Sequence, residues 1–194
     1  DLMLMTAHKG IVRDVAQVFD FIERPFINTH FHHLLVAPND MRQPLYQMIN
    51  KELRLARAGK DAFIRLKLNH VVDEKMVAKL YEACTAGVRV ELCLRGNCSL
   101  IPGVPGYSEG LFINAIISRY LEHSRIYIFG NDGEPKYYIG STDWMTRNLD
   151  RRIEVMTPVY DPDIQRELDF VISAGLRDTE QGYYTNGEEV RPRR

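Results

Sequence analysis

Between Lys9 and Glu23 the apolar residues Ile11, Val12, Val15, Val18, Phe19 and Ile22 recur at helical spacing until Pro25 interrupts them, which predicts an amphipathic helix. The apolar segment His33-Leu34-Leu35-Val36-Ala37, stopped by Pro38, predicts a buried strand. Asn39 or Asp40 is then placed to cap a long helix with Leu45, Met48, Ile49, Leu53 and Ala56 on one face and Gly59 just past its end. Ala62, Ile64, Leu66 and Leu68 alternate with Phe63, Arg65, Lys67 and Asn69, the period of a strand. Asp73 opens a further helix that buries Met76, Val77, Leu80, Tyr81 and Cys84 and ends at Gly87. Val88, Val90, Leu92 and Leu94 give another strand, which stops at Arg95-Gly96.

Strand, helix, strand, helix, strand with short connections predicts an α/β fold: a mixed, mostly parallel sheet flanked by helices on both sides. The irregular stretch Ser99 to Gly110 is long enough to be a functional loop. After it come an apolar segment from Leu111 to Ile117 and a single helical turn around Arg119 to Glu122. Ile126 to Phe129 and Tyr137-Tyr138-Ile139 flank the turn cluster Gly130-Asn131-Asp132-Gly133, which predicts a β-hairpin. Such a hairpin makes His123 a neighbour of Gly140-Ser141-Thr142-Asp143. Ile153, Val155 and Met156 suggest one more strand, and Asp161-Pro162 starts a last helix along Ile164, Leu168, Val171 and Ile172. Residues 1–178 thus form one domain. Residues 179–194 lose periodicity, end in Arg191-Pro192-Arg193-Arg194 and are expected to be a flexible tail.

With 194 residues, 45% hydrophobic and 26% charged, the chain has the balance of a single soluble globular domain. It opens on Asp1 rather than Met, as an excised piece of a longer protein would. Cys84, Cys93 and Cys98 form neither an even disulfide set nor a paired zinc pattern, and a reducing cytoplasm is expected. The net charge of −1 leaves any attraction for a polyanion to local clusters of Arg and Lys.

In open α/β sheets ligands bind beyond the carboxyl ends of the strands. Lys67 and Asn69, Arg95, and Ser141 with Asp143 all reach that edge. Arg95 follows alternating apolar residues and precedes a glycine, so its guanidinium stands at a strand exit. That position suits a forked grip on a phosphate and a structural ion pair equally well. Lys67 and Asn69 also fit a solvated strand face, and His123 also fits a histidine at the rim of a core. His30 and His32 of "HFHH" share one face without Cys, Asp or Glu at ligand spacing, which does not make a zinc site. Ser141 lacks the flanking glycine of a nucleophile elbow. Arg147, Arg151 and Arg152 are ordinary surface charge or, beside Arg95, the lining of a polyanion path.

The stretch "HSRIYIFGNDGEPKYYIGSTD" resembles a degenerate phospholipase D signature, His-x-Lys-x4-Asp-x6-Gly-Ser-x-Asn. Arg125 stands at the lysine, a longer turn displaces Asp132, and Asp143 stands at the final Asn. The runs "LKLNHVVDEKMVAKLYEACTAGVRVELCLRGNCSLIPGVPGYSEG" and "SRYLEHSRIYIFGNDGEPKYYIGSTDWMTRNLDRRIEVMTPVYDP" resemble the last domain of bacterial polyphosphate kinases of the first family. So does "HHLLVAPNDMRQPLYQMINKEL", and only the tail after Thr179 falls outside the likeness.

The resemblance implies a phospholipase-D-like half that meets a second such half, the preceding catalytic domain of the same polypeptide, across a shared active site. It implies reversible transfer of the terminal phosphate of ATP to inorganic polyphosphate through a phosphohistidine of that preceding domain. Arg95, in "CLRGNCSL", matches an arginine that contacts the nucleotide phosphates, and His123, in "YLEHSR", a histidine that contacts the nucleotide and assists proton transfer. Lys67, Asn69 and Arg147 join them as expected phosphate contacts, with Ser141 and Asp143 behind. Magnesium would arrive with ATP, its ligands in the other domain. The expected partners are ATP or ADP and polyphosphate, with no nucleic acid, and the full-length protein is expected to be a homo-oligomer. It is expected in the cytoplasm, with membrane association left open. The isolated chain is expected to be inactive. Two alternatives stand beside this: a phospholipase-D-type phosphodiesterase or nuclease with His123 as nucleophile, and a non-catalytic polyanion-binding module.

Overall fold

A sheet whose apolar residues point to both faces must be covered on both, and here two sets of helices do so. The structure is a computed structural model and describes residues 2–26, 29–185 and 189–190. Its elements are α1 (Lys9–Glu23), β1 (Leu35–Ala37), α2 (Arg42–Arg57), β2 (Phe63–Leu68), α3 (Glu74–Thr85), β3 (Arg89–Leu94), β4 (Leu111–Ile116), β5 (Arg125–Phe129), β6 (Lys136–Gly140), α4 (Thr146–Asp150), β7 (Glu154–Val159), α5 (Pro162–Leu176), β8 (Gly182–Thr185) and β9 (Glu189–Val190). Ile64, Leu66, Val90 and Leu92 point to the face covered by Met41, Leu45, Ile49, Met76 and Leu80 of the α2 and α3 region. Ile126, Ile128, Ile139 and Val159 point to the opposite face, under Leu168, Ile172 and Leu176 of α5. Ile11 and Val18 of α1 pack on Leu34, Val36 and Val155.

The α/β class and the helices on both faces follow the sequence, but the sheet does not run mostly parallel. The strand order is β1-β7-β6-β5-β2-β3-β4-β8-β9, and only β2–β3 and β3–β4 pair in parallel. Every other neighbouring pair is antiparallel. The alternation of strands and helices does not fix which strands are neighbours. β1 runs the same way as β2, but β7, β6 and β5 lie between them.

Other details also differ. Helix α2 is capped at Met41 with no side-chain bond, not at Asn39 or Asp40, whereas Asp73 caps α3 by accepting from the Met76 amide. The expected helical turn at Arg119 to Glu122 is irregular chain. Ile117, Tyr120 and Leu121 in that segment are exposed, so no apolar face holds a turn against the domain. The stretch after Thr179, expected as a flexible tail, carries β8, which pairs with β4 and then with β9. Arg191 to Arg194 lie outside the described residues.

The hairpin β5–β6 sets Arg125 opposite Gly140, and Gly140 in turn faces Met156 of β7. A Cβ on Gly140 would lie 2.0 Å from the Val155 carbonyl oxygen. Backbone cannot yield as a flexible side chain can, so Gly140→Ala is expected to lower the unfolding free energy by roughly 1–3 kcal/mol. Urea unfolding measures this, and an unchanged midpoint would mean that the β6–β7 ladder shifts without cost.

Candidate functional site at the strand ends

Parallel pairing of β2 with β3 carries their exits, Asn69 and Arg95, to one edge of the sheet. Because β5 is antiparallel to β2, its first residue, Arg125, arrives at the same edge. The antiparallel β6 ends there too, delivering Ser141 to Asp143. The chain from β4 to β5 must pass over the ends of β3 and β2, a span of roughly 14 Å at ordinary strand spacing. That segment, residues 117–124, brings Glu122 and His123 over the edge.

A continuous set of hydrogen bonds joins five of these residues. The Asp143 carboxylate accepts from the Asn69 amide at 2.8 Å, from Asn69 Nδ2 at 3.1 Å and from the His70 amide at 3.4 Å. It also accepts from Arg125 Nε at 3.3 Å and Nη2 at 3.0 Å. Asn69 Oδ1 accepts from Arg95 Nε at 2.9 Å. Arg125 Nη1 lies 2.9 Å from His123 Nδ1 and donates to the His123 carbonyl oxygen at 2.9 Å. Arg95, Asn69, Asp143, Arg125 and His123 therefore form one connected system at the edge.

Arg95 is oriented by a neutral amide, not by an acid, so the structural ion pair left open by its spacing is not what holds it. Its Nη nitrogens make no hydrogen bond among the described residues. Lys67 and Asn69 are buried, not on a solvated face, and Lys67 Nζ pairs with Glu122 at 3.1 Å. Ser141 turns the other way: its hydroxyl donates to Glu154 and accepts from the Val155 amide at 3.2 Å. Arg147 is exposed on α4, with Arg151 and Arg152 exposed just after it; no ion pair joins them to the Arg95 system among the described residues.

The "HFHH" run serves α1 instead. Its His32 and His33 amides, with that of Leu34, donate to the buried Asp14 carboxylate, and His33 Nδ1 lies 2.7 Å from the Tyr160 hydroxyl.

Three contributors escaped the sequence: Arg125 as a hub, Glu122 as the partner of Lys67, and His70, whose Nδ1 accepts from the Asn97 amide at 3.0 Å beside the Arg95 turn. For Arg125 a signal existed. It begins a strand whose other four residues are all apolar, so its charge needed a buried partner.

The bed beneath is rigid. The Trp144 amide donates to the His70 carbonyl, and the Val72 and Asp73 amides donate back to the Trp144 carbonyl. Trp144 is fully buried with its ring edge against Tyr127. Arg42 donates to both Asp73 and Asp150, which fastens α2 to α3 and α4. Burial pushes the Asp143 carboxyl up, but the bonds from Arg125 and Asn69 outweigh it and hold the pKa below the ordinary aspartate value. Burial, then the positive charges of Arg125 and Arg95, push the His123 pKa down against the pull of Asp143. A cleft of about 450 Å³ opens beside His123, Ser124, Arg125, Gly140 and Ser141, with Leu2 and Leu4 on its wall.

A mixed sheet between helix layers, with its polar groups gathered where β2, β3, β5 and β6 end, defines a phospholipase-D-like half. The fold is shared with Nuc of Salmonella typhimurium, described as a phospholipase D family member, at a TM-score of 0.56 and 14% identity over 78% of this chain and 95% of that one. The sequence profile described as "Polyphosphate kinase C-terminal domain 2" matches residues 34–190, and the chain belongs to that family. It is 44% identical over 179 residues to a polyphosphate kinase of Vibrio vulnificus, covering 92% of this chain and 26% of that protein. Against a polyphosphate kinase of Klebsiella pneumoniae it is 45% identical over 188 residues, covering 97% and 27%. The crystal structure of a polyphosphate kinase from Porphyromonas gingivalis superposes with a TM-score of 0.91 at 35% identity, over 98% of this chain and 30% of that one. The chain spans about a quarter of the length of the curated relatives it matches.

An aspartate whose folded pKa is depressed contributes stability that is complete above its unfolded value of about 4 and is lost as pH falls through the folded value. Asp143→Asn should therefore lower stability by about 3–5 kcal/mol at pH 7, the range for stranding a buried charge. It should also make the remaining stability fall less steeply below pH 4. Denaturant unfolding at pH 7 and pH 3 decides the point, and an equally steep acid loss in the variant would clear Asp143 of the effect.

Proposed function

We propose that this chain is the C-terminal catalytic part of an ATP:polyphosphate phosphotransferase. In the proposed reaction ATP and a polyphosphate chain give ADP and a chain longer by one phosphate, and the reverse, through a phosphohistidine in a preceding domain of the longer polypeptide. The observation that carries the proposal is the Arg95-Asn69-Asp143-Arg125-His123 system at the strand ends, in a chain of the polyphosphate kinase family. Asn69 fixes Arg95 through Nε, so the two Nη nitrogens keep the forked geometry that fits two phosphate oxygens and offsets charge developing on the transferred group. Lys67, buried beside the edge, is paired with Glu122 and becomes a phosphate contact only if a phosphate displaces that carboxylate. His123 stands beside them as a hydrogen-bond or proton-transfer group for the phosphates.

The residues at this edge do not suit a protein-held magnesium ion. Asp143, the carboxylate nearest the system, is fully engaged by Arg125, Asn69 and the His70 amide. Under the proposal magnesium comes with the nucleotide, and its protein ligands lie in the preceding domain. The cytoplasmic location and the oligomer of the full-length protein belong to the same proposal. Among the described residues no helix is long and apolar enough to cross a membrane.

The phosphodiesterase alternative draws on the fold and on the degenerate signature. The two departures from that signature, Arg125 and Asp143, are each other's ion-pair partners at 3.0 Å, so they form one coupled replacement and not two separate losses.

The test is calorimetric titration of the chain with ATP and with tripolyphosphate at two salt concentrations. Binding should weaken as salt rises, because the attraction is local on a nearly neutral chain. Arg95→Lys keeps the charge but loses the planar fork, and should weaken binding by about ten- to a hundredfold, as for one charge-assisted contact. Its melting temperature should hold. Binding that ignores both salt and Arg95 would remove the proposal's phosphate site.

A further inference from the structure

What His123 can do to a phosphate depends on which of its ring nitrogens carries the hydrogen, and its neighbour decides that. A guanidinium has five N–H donors and no acceptor. With Arg125 Nη1 at 2.9 Å from Nδ1, that nitrogen has to present its lone pair, and the hydrogen of the neutral ring sits on Nε2. The same Nη1 donates to the His123 carbonyl oxygen, so backbone and ring are gripped together. The guanidinium itself cannot swing away. Its Nε and Nη2 are bonded to Asp143, and the two residues are 8% and 5% exposed. Asp143 is fixed in turn by three N–H groups of Asn69 and His70.

We propose that Arg125, held by Asp143, is a positioning residue that locks His123 as the neutral Nε2–H tautomer, so that His123 meets phosphate as a hydrogen-bond donor and not as a nucleophile or base. The proposal rests on the phosphoryl-transfer function for its target, but not for its geometry. A protonated Nε2 has no lone pair with which to attack phosphorus or accept a proton, and the lone pair of Nδ1 is covered by Arg125. Arg125 from β5 and Arg95 from the β3 exit disfavour the imidazolium, and Asp143 favours it. The pair standing where the phospholipase D signature has Lys and Asn would thus turn a nucleophile's position into a donor's.

The test is long-range ¹H–¹⁵N NMR of the ¹⁵N-histidine-labelled chain at neutral pH without ligand. The His123 ring should show one protonated nitrogen, Nε2, and an unprotonated, pyridine-like Nδ1. An imidazolium, or an Nδ1–H form, would overturn the proposal outright, whatever any variant does. Arg125→Lys cannot hold Asp143 and both His123 acceptors at once and should give a mixture of the two tautomers. Should that variant not fold, Asp143→Asn, which loosens Arg125 while keeping it, should give the same mixture. An unchanged single tautomer in either folded variant would show that Arg125 does not set it. Tripolyphosphate should then shift the Nε2 resonance of the parent chain. A missing shift with the Nε2–H tautomer in place would leave the lock standing and count against the phosphate-binding function, so the two can fail separately.

Discussion

The buried ion pair between Arg125 and Asp143 is the interaction on which the edge of the sheet depends. Burying two charges is costly, and such a pair is seldom the cheapest way to fill a core. Here its geometry explains its presence. Asp143 uses its two oxygens on a strand-end amide, a side-chain amide and a guanidinium, and thereby ties the exits of β2 and β6 to the start of β5. Asn69, oriented by Asp143, orients Arg95 at the exit of β3. Four strand ends are registered to one another through a single carboxylate, and an apolar pair of the same volume has no means of doing that.

The rest of the fold supplies this junction with fixed walls. Antiparallel pairing of β5 with β2 on one side and β6 on the other makes two starts and ends coincide that a wholly parallel sheet would have set on opposite edges. The segment 69–73 lies along 143–146 through reciprocal backbone bonds, with Trp144 sealed beneath. Arg42, with its two aspartates, pins α4 over the same corner. Under the proposed function, Asp143 serves both the site and the stability of the edge, whereas Arg95, held among the described residues only by the Asn69 side chain, serves the site.

The family likeness reads naturally on this frame. The polyphosphate kinases that this chain resembles are about three and a half times its length. Arg125 keeps the positive charge of the signature's lysine, and Asp143, at the place of its neutral Asn, adds the negative charge that pairs with it. The histidine run near the amino end docks α1: its His32 and His33 amides hold Asp14 of α1, and the His33 ring meets Tyr160 just after β7.

Local order determined much of this protein before any tertiary contact was known. The periodicity of Lys9 to Glu23 bounds α1 as it is found, Asp73 and Gly87 bracket α3, and the turn cluster after Phe129 fixes the hairpin and hence the meeting of His123 with Asp143. These depend on spacing, caps and turns, which act over a few residues. Arg95 at a strand exit was legible for the same reason. What sequence could not decide was which strands are neighbours, because hydrophobic alternation sets a strand's faces and says nothing of its partner. Hence the expectation of a mostly parallel sheet fails: three strands stand between β1 and β2, and only β2–β3 and β3–β4 run parallel. The burial of Lys67, the pairing of Arg125 with Asp143 and the bonding of His123 were likewise decided only by tertiary structure. A buried charge takes its meaning from the groups folded against it: the hairpin brings Arg125 near Asp143, but only the packing of β2 beside β5 sets Asn69 and the His70 amide on that carboxylate and buries the pair.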